Sequence, residues 1–70
     1  MNKKNEINLY DKIIHIKNYE KIIDINPNCI VIKTNNKLIK VYGKELLISK
    51  LDKYEMCING EYKNIELLYE

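Results

Sequence analysis

Cys29-Ile30-Val31-Ile32-Lys33-Thr34-Asn35-Asn36-Lys37-Leu38-Ile39-Lys40-Val41 is the stretch that decides how this chain folds. Two short apolar runs stand on either side of a polar corner. Each is too short for a helix, which needs ten or more residues, and long enough for a strand, which needs five or six. Ile30 and Ile32, then Ile39 and Val41, lie two apart, the spacing that places side chains on one face of a pleated sheet. Asn35-Asn36-Lys37 supplies the reversal, because Asn enters the left-handed backbone region more readily than most residues.

The same grammar extends in both directions. Ile13-Ile14-His15-Ile16 and Lys21-Ile22-Ile23-Asp24-Ile25 precede this stretch, and Leu46-Leu47-Ile48, Glu55-Met56-Cys57-Ile58 and Ile65-Glu66-Leu67-Leu68-Tyr69 follow it. Asn26-Pro27-Asn28, Gly43-Lys44-Glu45, Leu51-Asp52-Lys53 and Asn59-Gly60-Glu61 read as further corners. Among these, Asn59-Gly60 is the strongest hairpin signal, the pair favoured by a type I′ turn. Asn36, Gly43, Asn59 and Gly60 are therefore the expected structural turn residues. A helix between Leu47 and Tyr54 is the main local competitor, since Leu47, Leu51 and Tyr54 fall at helical spacing.

The fold expected from this pattern is all-β: a compact antiparallel meander of six or seven short strands, folded over as a small sandwich or open barrel. A short β-solenoid is the runner-up, because closely spaced runs coil as readily as they reverse. Residues 1–11 read as a flexible lead-in, with Ile7 and Leu9 as late docking points, and residues 12–70 as one domain. Leu46 and Ile48, Met56 and Ile58, and Ile65 and Leu67 join the two isoleucine-valine pairs on the core face. The second face is mixed, carrying Lys40 and Glu66 together with aliphatics. Val31, Leu47 and Leu68 on it are the expected interaction face, covered by another protein or by a second copy.

A 70-residue chain makes one domain with a small core, and two cysteines do not build a disulfide framework. Thirteen isoleucines, twelve lysines and ten asparagines, with no arginine, alanine, glutamine, phenylalanine or tryptophan, resemble the coding bias of an AT-rich genome. A net charge of +2, with both signs scattered along the chain, gives no basic patch for phosphates. No apolar run has the length of a secretory signal or a membrane span, and free Cys29 and Cys57 suit a reducing compartment, so a cytoplasmic location is expected.

Chemistry-bearing residues are few. His15 sits between two isoleucines of a strand and reads as a surface histidine. Ser49 is the only serine and lacks the setting of a nucleophile. Cys29 and Cys57 are not in a CxxC pair, and only His15 is available as an imidazole ligand, so half-buried thiols are expected and no metal site. Two glycines do not make a phosphate-binding loop, and no cofactor is expected. The carboxylates fall at turns or on solvated strand faces. Six tyrosines cluster near strand ends, where packing at the core margin explains them better than base stacking. No nucleic acid is expected as partner, and a small β-barrel that binds single strands or acts as a regulatory protein is the alternative.

The order of residues adds a resemblance. Ile16-x-Asn18-Tyr19-x-x-Ile22, Ile30-x-Ile32-x-Thr34, Ile39-x-Val41-x-Gly43-Lys44-x-Leu46-x-Ile48 and Glu55-Met56-x-Ile58-x-Gly60-x-Tyr62-x-x-Ile65-x-Leu67 follow one another. Together they resemble the YabP/YqfC family of small sporulation proteins of endospore-forming Firmicutes. The runs over residues 43–48 and 58–65 are the most telling, and neither is a catalytic motif. Where the family often has a glycine in the turn after the threonine, this chain has Asn36-Lys37; where it tends to have one before Ile22, this chain has Lys21. The resemblance implies a non-enzymatic protein of the mother cell during endospore formation, associated with a sporulation membrane protein and peripheral at the forespore membrane.

Overall fold

The computed structural model describes residues 4–69. Its strands are β1 (Glu6–Tyr10), β2 (Ile13–Lys17), β3 (Lys21–Asn26), β4 (Cys29–Lys33), β5 (Lys37–Leu51) and β6 (Glu55–Tyr69). They form one open six-stranded sheet of order β1-β2-β6-β5-β4-β3, and every neighbouring pair is antiparallel. The all-β expectation holds, and consistent reversal replaces the solenoid alternative.

Three details differ from the reading of the sequence. The first is length: β5 and β6 are fifteen residues each, so the runs at Leu38 and Leu46 belong to one strand, and those at Met56 and Ile65 to another. Gly43, Asn59 and Gly60 are consequently inside strands and not at hairpin turns, and the competing helix over residues 47–54 gives way to the end of β5. The second is order: β3 to β6 form a meander, but β2 pairs with β6 and not with β3. The third is β1, which forms within the segment read as a flexible lead-in, with Ile7 opposite Ile16 and Leu9 opposite Ile14. Residues 1–3 of that lead-in lie outside the described residues.

No helix is present among the described residues to cover the sheet. One face of such a sheet is sealed from water only if the sheet folds back on itself. Ile14, Ile16, Ile30, Ile32, Ile39, Val41 and Met56 all have 0% exposure and, with Leu46 and Ile58, make one core. The sheet therefore has two leaves. The first comprises β1, β2, residues 55–59 of β6 and residues 47–51 of β5; the second comprises β3, β4, residues 37–42 of β5 and residues 64–69 of β6. Burying these aliphatic side chains stabilises the fold by roughly 1.5–3 kcal/mol each before entropy is counted.

The two long strands pass from leaf to leaf at the glycines. A Cβ on Gly43 would lie 2.7 Å from Tyr62 Cα, and one on Gly60 would lie 2.7 Å from the Glu45 carbonyl oxygen. Gly60 also has φ of 135°, a backbone region that side chains rarely enter. Each glycine amide is tied to a hairpin turn of its own leaf: Gly43 N donates to Asn28 O at 3.1 Å, and Gly60 N donates to Lys12 O at 3.1 Å. The pairing of β5 with β6 shifts register between Tyr42 and Gly43 and again between Lys44 and Leu47, which is how a bulged sheet bends and twists.

Both remaining hairpin turns use one device. Thr34 N donates to Lys37 O at 2.9 Å while Thr34 Oγ1 accepts from the Asn36 and Lys37 amides. Asp52 N donates to Glu55 O at 3.0 Å while Asp52 Oδ1 accepts from the Tyr54 and Glu55 amides at 2.9 and 3.0 Å. A short side-chain oxygen thus satisfies the amides left over in each two-residue loop. Asn36 stands in the first of these turns, as the sequence indicates.

Candidate interaction surface

Val31, Leu47 and Leu68 do not share a face in the way the sequence suggests. Val31 and Leu68 lie on the outer face of the second leaf, but Val31 is paired across strands with Asp24 and Lys40. Leu68 is opposite Leu38, which in turn is opposite Lys33. Leu47 is on the outer face of the first leaf, in a cross-strand row with Asn59, Ile13 and Tyr10. The fold-back that creates the core turns these outer faces away from each other, so strand alternation alone places the three residues together and the folded sheet sets Leu47 apart from Val31 and Leu68.

A different set of apolar residues is open. Leu9, Ile25, Leu51 and Leu67 each pair across strands with a fully buried residue: Ile14, Ile30, Met56 and Ile39 in turn. Directly opposed residues point to the same side of an antiparallel sheet, so all four point inward. Their exposures are nevertheless 55%, 55%, 54% and 39%, and each sits on an edge segment with a paired strand on one side only. Alternation identifies Leu67 as inward-facing, but nothing in the sequence marks an inward residue as uncovered.

The edges themselves differ. β1 has five residues, and its last carbonyl, that of Tyr10, accepts from the Tyr62 hydroxyl at 2.7 Å. β3 is interrupted by a bulge between Ile22 and Asp24. Residues 47–51 of β5 carry a further register shift between Ile48 and Lys50. Residues 64–69 of β6 pair with β5 without interruption, from Asn64 opposite Tyr42 to Tyr69 opposite Lys37. Bulges are an ordinary means of blunting a free edge, and this last segment, the end of a fifteen-residue strand, has none.

The first leaf carries a polar cluster on its outer face. His15 Nε2 lies 2.8 Å from Glu55 Oε1, and Lys50 Nζ donates to the same oxygen at 3.3 Å. The hydrogen bond from His15, then that from Lys50, holds the Glu55 carboxyl below its ordinary range. The Tyr54 and Glu55 amides do the same to Asp52, and Glu55 raises Lys50. This is a structural network of opposite charges at a hairpin, and its pairing of His15 with a carboxylate forty residues away has no local signal in the sequence.

Among the described residues, no group of three or more His, Cys, Asp or Glu side chains is placed to hold a metal ion. Cys29 and Cys57 are free and half-buried, on the outer faces of different leaves. Tyr19 and Tyr62 pack against the core while their hydroxyls donate to the Asp52 and Tyr10 carbonyls, which accounts for both as margin residues. A shallow recess is lined by Asp11, Lys12, Gly60, Glu61 and Tyr62, where the first hairpin turn meets the bend. Among the described residues, no helix is long and apolar enough to cross a membrane.

No curated protein and no solved structure matches the chain. The sequence profile of the YabP family matches residues 1–70. The two stretches that carried the resemblance, residues 43–48 and 58–65, are the segments that pass each other at the bend, each with a glycine that admits the other's backbone. The pattern is thus a requirement of the folded sheet, and by the match over its whole length this chain belongs to the YabP family.

Proposed function

We propose that this chain is a non-enzymatic protein of endospore formation that acts by protein–protein contact. It is a small β adaptor, cytoplasmic in the mother cell, which docks on a membrane-associated partner at the forespore or assembles with itself. The observation that carries the contact role is the set of inward-facing apolar residues left open on free strand edges, Leu9, Ile25, Leu51 and Leu67. An open edge binds an added strand through main-chain hydrogen bonds and takes specificity from side chains on either face. Membership of the family supplies the setting.

Expression and position of a tagged copy, driven from its own promoter, test this reading. Signal confined to sporulating mother cells and gathered around the forespore is expected, with reduced yield of heat-resistant spores on deletion. Steady vegetative expression, together with a deletion strain that sporulates normally, would remove the proposal.

A further inference from the structure

We infer that residues 64–69 of β6 pair antiparallel with the same residues of a second copy, joining the second leaves of two chains into one continuous sheet. This rests on the contact role proposed above and names its partner and its edge. Of the free edge segments, this is the uninterrupted one on a long strand, and it carries Leu67, Leu68 and Tyr69, all exposed. No strand lies along its other side among the described residues, since β2 pairs with β6 only as far as Asn59.

Self-pairing is constrained by geometry. Two copies related by a dyad perpendicular to the sheet keep their inward faces on one side, so the dyad must pass through a residue opposite itself. Placed at Glu66 it sets two carboxylates against each other. Placed at Ile65 it sets residues 67–69 against the bulged stretch before Asn64. Placed at Leu67 it keeps the ladder within the regular segment, with Leu67 opposite Leu67, Glu66 opposite Leu68 and Ile65 opposite Tyr69. Ile65, Leu67 and Tyr69 from both copies then form one apolar row on the inward side, covering the side chains that the first leaf leaves open. The interface is short, so the dimer is reversible and concentration-dependent.

Sedimentation of the full chain over a wide concentration range reads this directly. A monomer–dimer equilibrium is expected, and Leu67→Lys should raise the dimer Kd by about tenfold or more, as a lysine on a free edge does. Leu9→Lys, at a still more exposed leucine on the other leaf, should leave that Kd unchanged. Should the lysine variant fold poorly, Leu67→Cys in a chain with Cys29→Ser and Cys57→Ser keeps the question answerable. Opposed Cα atoms in such a ladder are about 4.5–5.5 Å apart, within disulfide reach, so oxidation should give a covalent dimer. Leu9→Cys in the same background should not. A chain monomeric at every concentration, or a dimer lost with Leu9→Lys and retained with Leu67→Lys, overturns the inference. The adaptor role survives either result if the tagged copy still gathers at the forespore, so the two readings fail separately.

Discussion

The two leaves are built from the same parts in the same order. Each has a hairpin at its edge, β1-β2 or β3-β4, then the half of a long strand that pairs with it, then the far half of the other long strand. Ile14 and Ile16 in β2 correspond to Ile30 and Ile32 in β4, and Met56 and Ile58 correspond to Ile39 and Val41; all are buried. Gly60 and Gly43 make matching hydrogen bonds to the two hairpin turns. The leaves part company at their last strands: the first leaf's runs through a further register shift, whereas the second leaf's pairs regularly to Tyr69. The core demands equivalence of its two halves, because each covers the other. The edges are under no such demand, and there the difference teaches where contact with another chain is to be sought.

The glycines give the largest test of that equivalence. Gly43→Ala and Gly60→Ala each force a Cβ into backbone of the crossing strand, and the second adds a strained φ. Each should destabilise by about 3 kcal/mol or more, Gly43→Ala from overpacking against backbone and Gly60→Ala from overpacking and backbone strain together. For a domain of this size that is most of the available stability, so a collapse of the urea transition is the expected reading. A mild effect at one glycine and a severe one at the other would show that only one crossing is tight.

Ile16→Ala and Ile32→Ala probe matched core positions, both with 0% exposure. Each should cost about 2–4 kcal/mol by denaturant titration, and the two losses should agree closely. A clear inequality would mean that one leaf relaxes around its cavity and the other does not.

The paired turns come next. Thr34 is completely buried and Asp52 exposed, although both accept from two amides. Thr34→Ala should therefore cost about 1–2 kcal/mol, because it leaves the amide of buried Lys37 without its side-chain acceptor, and Asp52→Ala less than that. Thermal melts of the two variants side by side decide it, and equal shifts would contradict the burial difference.

The smallest effect is electrostatic and confined to the first leaf. Glu55 and Asp52 are held below their ordinary values of 4.5 and 3.8. A carboxyl lowered in the folded state stabilises above its unfolded pKa, and that stabilisation is lost as pH falls through the folded value. Melting temperature should thus drop on acidification below about pH 4.5, and Glu55→Gln should flatten part of the drop. Asp52 is exposed and Glu55 partly so, and both are screened, so salt should weaken the effect further. Unchanged acid sensitivity in the variant would assign the loss to Asp52 and the remaining carboxylates.

Much of this was legible in the sequence, and for local reasons. Ile30, Ile32, Ile39 and Val41 are read as inward because side-chain direction in a strand alternates whatever the strand pairs with. The corner at Asn36 is read because two asparagines, residues that favour turns, stand between apolar runs. Gly60 was misread for an instructive reason: a type I′ turn and a close strand crossing both call for a residue free of a Cβ with positive φ, and the sequence does not distinguish them. Leu47 reads as sharing a face with Val31 and Leu68, and lies instead on the other leaf, because alternation labels faces within a strand and is blind to a fold-back between strands.

By itself, then, the sequence determined the strand character of the chain, its inward residues and the corners at Asn26-Pro27-Asn28, Asn35-Asn36 and Asp52-Lys53, all properties set within a few residues by backbone sterics and period-two burial. Tertiary structure decided that β2 joins β6 in place of β3, that two strands run on through their glycines, and which inward leucines stay uncovered. Those outcomes depend on segments far apart in the chain competing for the same edge and the same core. Only the folded sheet, in which each leaf is the other's cover, fixes which segment wins.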